Sequence, residues 1–147
     1  MSQIIDIADA VVTAINGATL SQSVTAERFY VPVHDIEDPA LHVTVVPAAL
    51  DGKLLDRRGK NLFTYLVDVA VQKVIGVGSM TNDQIKAACD PLMSFAEEIA
   101  DLFDGKPLGN SLVVCTNVKN VPIFAPDHLD EKRLFTSLLT LEFKAGR

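Results

Sequence analysis

The chain has no tryptophan, two cysteines, and aromatic residues at only 6% of its 147 positions. Cys89 and Cys115 are far apart and match no metal-ligand spacing, which excludes a disulfide framework and a zinc module. They read instead as small buried hydrophobes. No apolar run reaches the roughly 18 residues that a membrane-spanning helix requires. The first residues lack a basic stretch followed by an apolar segment and a small-residue cleavage site, so no secretory signal is expected. Basic residues are also scarce, 13 against 19 acidic, giving a net charge of −6. With an isoelectric point near 4.9, a broad basic nucleic-acid-binding face is excluded. A channel through which DNA slides without sticking is not, because clustered cations supply most phosphate affinity.

Hydrophobic residues make up 48% of the chain and charged residues 22%. That balance excludes general disorder and fits one domain over residues 1–147. A folded chain of 15.9 kDa keeps about 7,000 Å² of accessible surface and buries about two-thirds of what it exposes unfolded. Its mean hydropathy of +0.25 is high for so small a domain. Burial between subunits is the simplest remedy.

Apolar periodicity orders the elements. Ile4, Ala8, Val11 and Ile15 line one face of a helix over residues 3–16, with Ile5 and Val12 beside it, Ser2 as cap and Gly17 as left-handed stop. Phe29, Val31 and Val33 alternate as a strand that lies at a sheet edge or ends at Pro32, since Pro32 cannot donate to a ladder. Leu41, Val43 and Val45 predict a strand ending at Pro47, and His42 falls on its other face. Residues 51–60 (DGKLLDRRGK) read as a flexible basic loop. Phe63, Tyr65, Val67, Val69 and Val71 then form the clearest strand. Thr81 and Gln84 make a capping box ahead of a helix carrying Ile85, Ala88, Cys89, Leu92, Phe95, Ala96, Ile99, Leu102 and Phe103. Pro91 predicts a kink or a short first turn, and Gly105 a stop. Strands follow at residues 112–118 and around Phe135, Leu139, Leu141 and Phe143. The order α-β-β-β-α-β-β predicts an α+β fold: a mostly antiparallel sheet of about five strands with two helices packed on one face.

The chemistry is sparse. His34, His42 and His128 stand in no metal-binding pattern, and the acidic residues Asp35, Glu37 and Asp38 beside His34 match no calcium loop. There is no G-x-S-x-G elbow. Gly76-x-Gly78 lies between strand and helix, yet Thr81 replaces the third glycine of a dinucleotide fingerprint and no βαβ unit precedes it. Glu97, Asp101 and Asp104 share a helix face, which reads as a solvated face or the lining of an acidic channel. No catalytic, cofactor-binding or metal residue is assigned, and no enzyme or cofactor is expected. Two segments remain. Lys53, Arg57, Arg58 and Lys60 place four of the 13 basic residues within eight positions. They form either a solvated hairpin tip or an arm that docks on an acidic neighbour or touches DNA. Val121, Ile123 and Phe124 sit in the segment NVPIFAP, which either folds back on the core or serves as an interface patch.

The element order, the short first helix followed by a polar stretch and R-F-Y-V-P (residues 28–32), and the long basic connection at 51–60 resemble tail-terminator or tail-completion proteins of long-tailed bacteriophages. The resemblance covers most of the chain and rests on architecture, with no diagnostic motif. It implies a ring, commonly a hexamer, that ends polymerisation of the tail-tube protein and offers a joining surface to a head-completion or neck protein. DNA would pass through the lumen without specific binding, and no membrane would be involved. The protein would reside in the virion tail or neck after assembly in the host cytoplasm. In such rings sheets meet between subunits, and a connection between strands reaches the adjoining protein; residues 51–60 match that connection. Another neck or connector ring protein, or a small-molecule-binding α+β domain, are the alternative readings.

If NVPIFAP is an interface patch, Phe124→Asp weakens oligomers more than it weakens the monomer, as read by light scattering against a denaturant titration. The opposite result places Phe124 in the core.

Overall fold

A computed structural model describes residues 2–30, 40–55, 61–76, 81–108, 113–121 and 134–146, with backbone alone for 51–55, 61 and 62. Its elements run α1 (Gln3–Gly17), β1 (Ala26–Arg28), β2 (His42–Leu55), β3 (Asn61–Val74), α2 (Asn82–Phe103), β4 (Val114–Asn120) and β5 (Leu134–Gly146). The fold is α+β in the expected order. The five strands stand in the order β1-β2-β3-β5-β4, antiparallel except for the pair β1–β2.

Alternation along the strands creates the core. Val43 and Val45 of β2, Tyr65, Val67, Val69 and Val71 of β3, and Leu139, Leu141 and Phe143 of β5 are buried on one face. Both helices lie there. Ile7, Ala8, Val11 and Ile15 of α1, and Phe95, Ala96, Ile99 and Phe103 of α2, belong to the same cluster. Phe103 meets Phe143 edge to face, ring centroids 6.3 Å apart. At the start of α1 the Tyr65 hydroxyl donates to Gln3 Oε1 at 2.6 Å, which ties the helix to the sheet. The opposite face is mixed: Thr44, Gln72 and Thr136 are buried, and Thr140 donates to Asp68 at 2.8 Å.

Several local expectations need correction. Ser2 is the N-cap of α1 but its hydroxyl makes no capping bond, and Gly17 is the last helical residue, with extended Ala18 ending the helix. A left-handed glycine is not needed when the next residue simply leaves the helix in an extended conformation. β2 does not stop at Pro47. The register with β3 shifts between Pro47 and Ala49, so the missing N–H falls at a bulge and pairing resumes beyond it. Residues 51–55 are therefore strand, paired with residues 61–64 across a second shift, and not loop. β1 covers Ala26–Arg28 and stops before Phe29, and it runs parallel to β2; Val31 and Val33 of the expected alternation lie outside the described residues. The 13 residues from 29 to 41 give the length that a return to parallel pairing requires.

α2 begins with the expected box: Gln84 donates its backbone N–H to the Thr81 hydroxyl at 3.2 Å, and Thr81 N–H donates to Gln84 Oε1 at 2.9 Å. The helix continues through Pro91, so no short first turn forms. Burial starts only at Leu92; the residues before it are exposed or half-buried. Gly105 ends the helix at φ +70°. The chain then folds onto β4, with Gly105 N–H donating to Cys115 O and Cys115 N–H to Lys106 O, both at 3.0 Å.

Phe95→Ala should cost about 3–5 kcal/mol in urea unfolding, against about 1 kcal/mol for Thr81→Ala at the cap. Equal losses would contradict a core centred on the second half of α2.

Candidate assembly surface

The residues singled out in the sequence fall far apart. Lys53 lies in β2 opposite Phe63, with its side chain outside the description. Arg57, Arg58 and Lys60 lie outside the described residues, within the connection between paired Leu55 and Asn61. Val121 directly follows β4 and is 73% exposed, while Ile123 and Phe124 are outside the described residues. Lys53 aligns with Phe63, and Val121 lies just past the level of Val69. That separation is about 20 Å along the strands. The basic and apolar segments thus enter and leave the sheet at different levels.

The structure draws attention to the sheet edges instead. Among the described residues, the exposed large apolar side chains are Phe29, Tyr30, Leu50, Val114 and Val121. Phe29 and Tyr30 directly follow β1, Val114 opens β4 and Val121 directly follows it. Four of these five therefore flank the two edge strands. Sequence periodicity placed Phe29 in a strand and gave no sign that Tyr30 stands out at 70% exposure.

The β1 edge is built around Arg28. Its Nε donates to Asp9 of α1 at 2.6 Å, its Nη1 to the Tyr30 hydroxyl at 3.1 Å, and its guanidinium lies 5.6 Å from the Tyr30 ring centre. The bonds to Tyr30 and Asp9 push the guanidinium above its already high value, so it stays charged. Phe29 N–H donates to Val45 O at 2.8 Å. By alternation, the backbone groups of Ala26 and Arg28 then point away from β2. Asn16 satisfies those of Ala26, accepting its N–H at 2.7 Å and donating to its carbonyl at 3.2 Å. Arg28 is where the edge stays open among the described residues.

At the other edge, residues 105–108 cover the start of β4 through the bonds described above, and Pro107 bridges Val114. Beyond a register shift at Cys115/Asn117, no described strand pairs with the outer side of β4. Beside that stretch a groove of about 340 Å³ runs between α2 and β4, lined by Met93, Glu97, Ala100, Asp104, Val118 and Asn120. A second groove, of about 230 Å³, lies near Lys73 and Pro91.

Charge is also segregated. α1 and α2 carry seven carboxylates and one cation, Lys86, so the chain's whole net charge of −6 resides on the helical layer. Asp83, Asp90, Glu97 and Asp104 recur at intervals of seven along the exposed side of α2, joined by Asp101. The last turn itself contains no cation, but Lys106 just beyond it donates from Nζ to Asp101 O at 2.8 Å and brings a charge to the negative end of the helix dipole. Glu98 lies off this stripe and accepts from both the backbone N–H, at 3.1 Å, and the hydroxyl of Ser21. The stripe was legible in the sequence; that it borders a groove beside an edge strand was not.

Among the described residues there is no group of three or more His, Cys, Asp or Glu that could hold a metal ion, and no helix long and apolar enough to cross a membrane. Cys115 is buried, as expected, whereas Cys89 is half-buried. The chain matches no family model and no curated protein.

Burial pushes the Cys115 thiol up to about 11, and burial together with Asp90 raises that of Cys89. Thiolate is the reactive form, and Cys89 is the more accessible of the two. Iodoacetamide at pH 8 should label Cys89 well before Cys115 in the native protein, as followed by peptide mass mapping. Equal labelling would mean that β4 opens readily.

Proposed function

We propose that this chain is a structural virion protein. It forms a ring at the head-proximal end of a phage tail, ends tail-tube polymerisation there and supplies the surface for head joining. The observation that carries the reading is the pair of unlike edge strands, β1 and β4, at opposite sides of one sheet among the described residues, each flanked by exposed apolar residues. Unlike edges that complement each other generate a head-to-tail contact, and repetition of that contact closes a ring when its rotation closes. The phage assignment rests on the element order and on the resemblance drawn from it. In this role the chain turns over no substrate, and the acidic helical layer disfavours retention of a DNA backbone nearby.

Residues 57–60 then act in docking. Arg57 and Arg58 carry positive charge on an otherwise acidic protein, which suits an acidic surface of the adjoining tube or neck protein.

Light scattering after size exclusion should show a concentration-dependent oligomer of one defined size. Arg57→Glu with Arg58→Glu should leave the circular dichroism spectrum unchanged and reduce capping of tail tubes. A single-copy mass at every concentration, with tube protein also present, would overturn the proposal.

A further inference from the structure

We infer that the groove between α2 and β4 is the seat for Tyr30 of a second copy of this chain. The inference rests on the ring reading and specifies its contact.

Strand register supplies the first argument. Arg28 pairs with Val45, Val45 with Val69, Val69 with Leu139, and Leu139 with Asn120. One row thus crosses the sheet from the open point of β1 to the end of β4. Two residues further along β2, the row Pro47–Val67–Leu141–Val118 crosses at the level that Tyr30 reaches beyond Arg28. β1 is parallel to β2, and β2 is antiparallel to β3, as β3 and β4 each are to β5. β1 therefore runs opposite to β4. A copy added at the β4 edge in the same orientation brings its β1 alongside as an antiparallel strand, with Arg28 level with Asn120 and Tyr30 level with Val118. The covered part of β4, residues 113–115, lies outside that overlap.

Side-chain direction supplies the second. Ala26 belongs to the core cluster beneath the helices. Arg28, two residues on, reaches Asp9 of α1, and Tyr30 bonds to Arg28, so all three project to the helix side. Val118 pairs with buried Leu141 and lines the groove from that same side.

Chemistry supplies the third. Met93, Ala100 and Val118 give the groove apolar walls, and Glu97 and Asp104 give it an acidic rim. Tyr30 is an exposed ring tethered to a permanent cation. Seating the ring buries apolar surface and carries Arg28 towards the two carboxylates, so the contact is complementary in both shape and sign. Thioether walls such as Met93 also favour aromatic occupants.

The test uses the full chain carrying Cys89→Ser. Tyr30→Cys combined with Glu97→Cys, oxidised with diamide, should give a ladder of covalent multimers on a non-reducing gel that stops at the ring number. Each single variant should remain uncrosslinked. Moving the second cysteine to Asp83, about 21 Å along the helix, should abolish the ladder. In parallel, Tyr30→Ala should raise the concentration for half-assembly at least tenfold, while Tyr30→Phe, which keeps the ring, should assemble as wild type. If wild type is oligomeric and the Tyr30/Glu97 pair gives no ladder, or Tyr30→Ala assembles normally, the seat is wrong and the ring reading survives. Efficient crosslinking of Tyr30→Cys alone would mean that like edges meet, or that a different partner holds Tyr30, and would overturn the inference. A wild-type chain that stays single in all conditions removes the ring reading itself.

Discussion

The backbone ladder through β2, β3 and β5 is the constraint from which the rest follows. Pairing runs unbroken from Leu62–Gly146 to Val74–Leu134 between β3 and β5. A slip of one residue would turn one strand's set away from the helices, either Tyr65, Val67, Val69 and Val71 or Leu139, Leu141 and Phe143. With the register held, every other side chain of three strands falls beneath α1 and α2. The helices need only amphipathic faces to cover them. The same ladder fixes the levels of β1 and β4, and so determines which residues of one edge stand opposite which residues of the other.

Much of this was legible because it depends on period alone. The alternation in residues 63–71 and 135–143 identifies strands, the 3.6 spacing of Leu92, Phe95, Ala96, Ile99 and Phe103 identifies the buried face of α2, and Thr81 with Gln84 marks its start. What period cannot give is partnership. The parallel direction of β1, the continuation of β2 past Pro47 and the placement of β5 between β3 and β4 are properties of the assembled sheet. Edge position is equally non-local, so the exposure of Tyr30 and the groove beside Val118 had no local signature. Of the seven residues singled out in those two segments, only Lys53, as backbone, and Val121 fall among the described residues. High hydropathy, too, was read as excess. Among the described residues most large apolar side chains enter the core, and those left exposed flank the edge strands, apart from Leu50 within β2.

Charge partition gives the helical layer a character of its own. Seven carboxylates against one ammonium on α1 and α2 leave the remainder of the chain neutral on balance. Carboxylates in the final turn of α2 face the negative end of the helix dipole, and the Lys106 ammonium on the Asp101 carbonyl offsets them. The fold brings two cations to this layer from outside the helices: Arg28, held by Asp9, and Lys106, bonded to the Asp101 carbonyl. Added salt therefore screens the field that this layer presents to an approaching charge.

The position of β5 has a bearing on biosynthesis. Residues 134–146 emerge after every other described element, yet they pair on both sides, with β3 and with β4. Until the ribosome has delivered them, β3 lacks one partner and β4 has none of its ladder. The sheet is therefore completed from within, when a strand made after β1 to β4 pairs with β3 and gives β4 its ladder.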